Sequence, residues 1–212
     1  MKKGLVVVGI LSFLLAGCST TGSSAKETDP EVQEISVSLP AELTTLDTTQ
    51  TTDKVTFTVI QHLFEGSYRF DEKSQPVPGL AEEAVISEDG KTYTFKLKEE
   101  AKWSDGQQVQ AADFAYAWKK LVDPKTMGPN AYLLDNVVNS QDIREGKADI
   151  ATIGLETPDE KTFVVHLEQL QPSFLSVVSI GWLAPQRQSY VEEKGTAYGK
   201  TSEDLLYTGP FI

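Results

Sequence analysis

One cysteine, two histidines and two methionines stand in 212 residues, and cations are scarce beside acids, with 19 Lys+Arg against 31 Asp+Glu. A single thiol excludes an internal disulfide framework and any cysteine-rich zinc or iron–sulfur centre. The histidines, His62 and His166, lie far apart and form neither an H-x-x-x-H nor an H-E-x-x-H pattern, so no metal site is expected. The formal charge of −12 opposes wrapping around a phosphate backbone, which needs clustered cations, and so argues against nucleic acid as a partner. The N-terminal apolar run, Leu5 to Ala16, falls short of the roughly 20 residues of a spanning helix, and no second membrane segment is present. What is there is globular in character. With 40% hydrophobic and 9% aromatic residues the chain can bury a core, and its length admits one large or two small domains.

The position of the cysteine gives it meaning. Lys2 and Lys3 precede the apolar run, and the run ends in Leu15-Ala16-Gly17-Cys18. This order of charge, short apolar stretch and small residues is that of a secretory signal. The four residues resemble a bacterial lipobox, in which the thiol is lipidated before cleavage leaves it first in the mature chain. Residues 1–17 are thus expected to be a removable signal peptide and Cys18 the lipidation site. The two acyl chains of a diacylglyceryl thioether meet the two-signal requirement for stable anchoring. Residues 18–31 are almost wholly Ser, Thr, Gly and charge, a flexible tether. The expected location is extracytoplasmic, at a Gram-positive cell surface, held to the membrane through Cys18.

Periodicity outlines the remainder. Ile35, Val37 and Leu39 alternate, predicting a strand that ends at Pro40. Val55, Val59, Ile60, Leu63 and Phe64 fall at helical spacing, so a helix is predicted over 53–65, with Thr52 or Asp53 as N-cap and Gly66 as terminator. Short strands are predicted at Tyr68 to Phe70 and Gln75 to Val77. Ala84 to Ile86 and the alternating Tyr93, Phe95 and Leu97 flank Asp89-Gly90, a strong hairpin signal because Gly accepts the positive φ that tight turns require. Ala111 to Val122 reads as a helix with Phe114, Ala117, Trp118 and Leu121 on one face, stopped by Asp123-Pro124. Asp89 to Leu97 is echoed by Asp159 to Leu167, read as two similar edges of one mixed sheet. A short helix is predicted over 172–180. The end of the chain, Tyr207-Thr208-Gly209-Pro210-Phe211-Ile212, reads as a turn opening a strand, so the chain is expected to be a partial one.

No residue pattern supports an enzyme. Gly90-Lys91-Thr92 lacks the upstream glycine of a phosphate loop, since Val85 stands there, and there is no Gly-x-Ser-x-Gly elbow. Glu82-Glu83, Glu99-Glu100 and Glu192-Glu193 are neighbours in sequence and point different ways, as a solvated face does rather than an acid/base pair. Trp118 belongs to a helical apolar stripe and is expected in the core. Trp103 packs under the turn it precedes, and Trp182 is open between core and pocket. No catalytic residue, cofactor or metal is assigned.

Read together, these segments resemble the N-terminal part of an extracellular solute-binding protein of the bacterial oligopeptide-binding family, the binding component of ABC importers. The match is carried by Leu46-Asp47, by Leu63-Phe64-Glu65-Gly66, by Pro78-Gly79-Leu80-Ala81-Glu82 with Ser87 to Leu97, and by Ala101-Lys102-Trp103-Ser104-Asp105-Gly106 with Ala112-Asp113-Phe114, Ala117-Trp118 and Asp123-Pro124. The resemblance implies an α/β, periplasmic-binding-protein-like bilobal fold (type II, peptide-binding branch with an extra subdomain), incomplete at the C-terminus. Lobe I would begin at 32–65, the extra subdomain would fill 66–189, and 190–212 would return into lobe I. It implies capture of oligopeptides, paired through their backbones, for delivery to ABC permease subunits by a monomer that cleaves nothing. Counted from Leu46-Asp47 and Phe64-Glu65-Gly66, the peptide-contacting loop falls on Thr52, Asp53 and Lys54. The ligand-facing tyrosine of the family falls on Asn130, with Tyr132 nearby. These residue types depart from the family's Glu, Gly and apolar residue, and from its tyrosine. A peptide-pheromone receptor, a binder of nickel or a dipeptide, and, in a different class, a surface lipoprotein enzyme are the alternatives.

Overall fold

The computed structural model describes residues 36–211, and the compact unit begins at Leu39. The expected signal peptide, Cys18 and the whole of the expected tether, with the residues after it up to Ile35, lie outside the described residues. No strand forms over 36–39, and Leu39 is exposed. Alternation supplies a strand with an apolar face but not with a neighbour, and no described strand pairs with this segment.

The first helix, α1 (Lys54–Leu63), starts where Asp53 caps it, its carboxylate accepting the Thr56 amide at 2.8 Å. It stops at Leu63, short of the predicted glycine terminator, because Phe64 is already extended and buried. Its β-branched residues are poor helix formers, and burial of Ile60 overrides them. Two short strands follow, β1 (Tyr68–Phe70) and β2 (Pro76–Pro78), paired as a separate antiparallel hairpin.

A four-stranded sheet is built from β3 (Val85–Ile86), β4 (Thr92–Lys96), β5 (Leu155–Glu156) and β6 (Thr162–His166), in the order β3-β4-β6-β5. Every pair is antiparallel. Gly90, at φ +69°, makes the β3–β4 turn. The two echoing segments are therefore not edges of a mixed sheet. They are its central neighbours, in a register that sets Phe95 opposite Phe163 and Tyr93 opposite Val165. Opposed residues of an antiparallel pair share a face, so the matching alternation of the two segments makes one continuous apolar surface. The edges fall to the two-residue strands β3 and β5, and β3 leaves Val85 and Ile86 exposed.

Helix α2 (Ala111–Val122) covers that surface. Asp113 reaches back to the Gln110 amide at 2.9 Å to close its first turn. Its apolar stripe brings Phe114 and Trp118 against Phe163, with ring centroids 5.7 and 5.0 Å apart. Trp118 is core, as its spacing predicts, and its indole donates to the Leu183 carbonyl at 3.0 Å. Short helices α3 (Ser140–Arg144), α4 (Phe174–Val178) and α5 (Gln188–Lys194) complete the unit, α4 lying within the predicted 172–180. A second, smaller core gathers Leu46, Ile60 and Phe64 with Ala184, Val191, Tyr198, Leu205 and Tyr207. Trp182 packs its ring on Phe57 at 4.5 Å, at the side of α1.

Candidate functional site

Between the two cores runs the segment 44–53, which leads into α1. It is rich in threonine and carries one buried acid, Asp47. Thr48, Thr49 and Thr51 are buried with it. A buried carboxylate demands donors, and each oxygen has them. Oδ1 accepts the Thr49 amide at 3.0 Å, the Thr49 hydroxyl at 2.7 Å and the Gln186 side chain at 2.9 Å. Oδ2 accepts the Lys120 ammonium at 2.8 Å. Lys120 comes from α2 and donates also to Gln186 Oε1 at 3.0 Å, with its ammonium 5.0 Å from the centre of the Tyr198 ring. Burial and the Asp47 charge push the Tyr198 phenol well above its ordinary value, so it stays neutral beside them.

The backbone of the segment is tied down in the same way. Gln50 and Thr51 amides return to the Asp47 carbonyl, and the Thr51 hydroxyl bridges the carbonyls of Thr45 and Asp47 at 2.7 and 3.0 Å. Leu46 donates to the carbonyl of Gly199 at 2.7 Å. Gly199 must be glycine twice over: φ is +75°, and a Cβ would come within 2.5 Å of the Asp47 nitrogen.

The four residues expected to touch ligand are placed as follows. Thr52 and Lys54 are exposed at the head of α1. Asp53, between them, spends its carboxylate on the Thr44 hydroxyl at 2.6 Å and the Thr56 amide, and these bonds hold its pKa down at about 2. Asn130 is buried, and its side-chain amide donates to the Thr51 carbonyl at 2.8 Å. The structure thus joins two segments 79 positions apart, and Gln50 adds a bond to the Thr126 carbonyl at 3.1 Å. Asn130 acts on the loop backbone, while Met127 and Tyr132 nearby are exposed. Lys120 and Gln186 were not visible as site residues in the sequence. Lys120 reads as an ordinary cation at the edge of a helical stripe, and nothing local marks Gln186. Only Asp47, quoted within Leu46-Asp47, carried a signal.

A half-open cavity of about 690 Å³ lies beside β1, with Phe64, Gly66, Tyr68, Ser179 and Gly209 in its wall. None of the four candidate residues lines it. Thr52 and Lys54, with half-buried Asp53 between them, form a rim, and buried Asn130 supports the loop behind it.

The fold is that of the periplasmic-binding-protein-like, bilobal class of solute-binding proteins, in its peptide-binding branch. Residues 75–212 match the family described as bacterial extracellular solute-binding proteins, family 5 middle, and the chain belongs to that family. A dipeptide-binding protein of Lactococcus lactis subsp. cremoris is 35% identical over 206 residues, covering 97% of this chain and 36% of the relative. Listeria monocytogenes OppA bound to peptide superposes with a TM-score of 0.79 at 35% identity, over 81% of this chain and 34% of that one. The pheromone receptor PrgZ, solved for its mode of peptide binding, gives a TM-score of 0.77 at 36% identity, over 80% and 34%. The chain spans about a third of the length of the relatives it matches.

Proposed function

We propose that this chain is the N-terminal portion of a lipid-anchored binding protein that captures oligopeptides for an ABC importer. The observation that carries the reading is the rim itself: Thr52 to Lys54 presented on a loop whose backbone is fixed by Asp47, Asn130 and Gln186, in a family whose relatives include proteins named for binding peptides. A fixed backbone suits a ligand recognised through main-chain pairing, since little ordering remains to be done on binding. In this reading 32–65 and 190–212 belong to lobe I and 66–189 to the extra subdomain. The smaller core supports that division by joining Leu46, Ile60 and Phe64 to Val191, Tyr198, Leu205 and Tyr207, with Ala184 its one buried member from 66–189. Cys18 is the anchor, the protein works outside the cytoplasm as a monomer, and delivery is to permease subunits.

The test is thermal melting of the full-length protein with mixed peptides of four to eight residues. Ligand at a hundred times Kd adds about 2.7 kcal/mol by mass action, a shift of several degrees. No shift with peptides alongside a shift with a metal ion or a sugar would refute the assignment. A second reading, a pheromone receptor, is favoured by the similarity to PrgZ. A receptor would answer to one peptide and ignore the mixture.

A further inference from the structure

We infer that Lys120 and Gln186 are positioning residues for the peptide site: through Asp47 they hold the loop whose far end presents Thr52, Asp53 and Lys54. The inference rests on the proposed peptide-binding function and adds to it the part of the molecule on which affinity depends without touching ligand.

The chain of contacts is short. Lys120 Nζ and Gln186 Nε2 lie 2.8 and 2.9 Å from the two oxygens of Asp47. Gln186 also donates to the Thr48 hydroxyl at 2.7 Å. Asp47 in turn fixes Thr49 through its side chain, and Gln50 and Thr51 through its carbonyl. Thr51 is the residue before the rim, held from the other side by Asn130. Every member from Asp47 to Thr51 except Gln50 is buried, and Gln186 is fully so. Both oxygens of Asp47 and both ends of the Gln186 amide are committed to other members of the set. Its contribution is geometric. A ligand bound by main-chain pairing needs consecutive amides and carbonyls at fixed spacing, and an unsupported polar loop would have to be ordered at the moment of binding. Lys120 adds the charge that makes burial of Asp47 tolerable, since a buried carboxylate without its cation is strongly disfavoured.

The experiment uses the full-length protein with three substitutions, Lys120→Met, Gln186→Met and Lys120→Arg, read by amide hydrogen exchange and by peptide affinity. Lys120→Met removes the cation; Gln186→Met keeps the ion pair and removes only the amide, so a folded variant remains should the first unfold. Lys120→Arg keeps charge and donors. The expected result is loss of protection at Thr49, Gln50 and Thr51 by about tenfold or more in both Met variants, with the amides of β4 and β6 unchanged. Peptide Kd rises in step, and Lys120→Arg restores both. Unchanged loop protection overturns the inference. So does protection lost equally in the sheet, which would make the cluster a general stabiliser, and so does an unaltered Kd once the loop has loosened. If the unsubstituted protein binds no peptide, the proposed function itself falls, and this role with it. If it binds and the variants bind equally well, only this inference falls.

Discussion

Phe163 tests the larger core most directly. It is fully buried at the centre of β6, and three aromatic rings surround it: Phe95 at 6.2 Å, Phe114 at 5.7 Å and Trp118, edge-on, at 5.0 Å. Phe163→Ala removes the ring that joins the sheet to α2, at a cost of about 3–5 kcal/mol. Against a total stability of roughly 5–15 kcal/mol this is a large share. With a urea dependence of about 2 kcal/mol per molar, the unfolding midpoint falls by about 2 M. Far-UV circular dichroism supplies the readout, since intrinsic fluorescence would sum Trp103, Trp118 and Trp182. Val85→Ala is the control: Val85 is 70% exposed on the short edge strand, and the change should stay within about 0.5 kcal/mol. If the two substitutions shifted the midpoint equally, the central pairing of β4 with β6 under α2 would be refuted.

Gly199→Ala combines a left-handed backbone with a collision against Asp47, whereas Gly146→Ala, at φ +72° with nothing within 4 Å, carries the backbone strain alone. Gly146→Ala should cost about 1–2 kcal/mol, and Gly199→Ala a further 1–3 kcal/mol or so, measured as denaturation midpoints. Two aspartates respond to acid with opposite signs. Hydrogen bonds from Thr44 and Thr56 depress Asp53 to about 2, so its contribution is complete above its ordinary value of 3.8 and is lost as pH falls through about 2; Asp53→Asn should flatten that part of the melting profile. Burial raises Asp113, despite bonds from Gln110 and Trp103, so the penalty for its charge is present above its raised value and relieved as pH falls through it; Asp113→Asn should abolish that gain. Cys18→Ser should abolish incorporation of labelled fatty acid and release the full-length protein from the membrane fraction; retained label would refute the anchor.

Much of the fold was legible because local chemistry and tertiary packing agree. Helix α2 carries its own stripe, its own backward-reaching Asp113 and a proline to stop it, and Ala111–Val122 matches its predicted bounds. The β3–β4 hairpin follows from Asp89-Gly90. What periodicity cannot supply is a partner. It gave the echoing segments faces but not neighbours, so their placing at the sheet edges was overturned by their pairing with each other. It likewise predicted a strand after Ile35 where none forms. The loop 44–53 looked featureless because its order comes from side chains at 120, 130 and 186. The resemblance placed the expected ligand contacts at Thr52 to Lys54 and Asn130 by counting from motifs, and the structure bonds Asn130 to Thr51, the residue before the first of them.

The pairing of β4 with β6 also sets a timetable. Phe95 and Phe163 face one another across a stretch of about 70 residues, and closing a loop of that length costs roughly 4 kcal/mol in chain entropy before any contact repays it. The β3–β4 hairpin ends where that stretch begins and α2 lies in its first half, so both precede β6 in the chain. A chain delivered N-terminus first therefore carries Tyr93, Phe95, Phe114 and Trp118 as an uncovered apolar face until β6 arrives. That interval, rather than the finished structure, is when this protein is most exposed to aggregation.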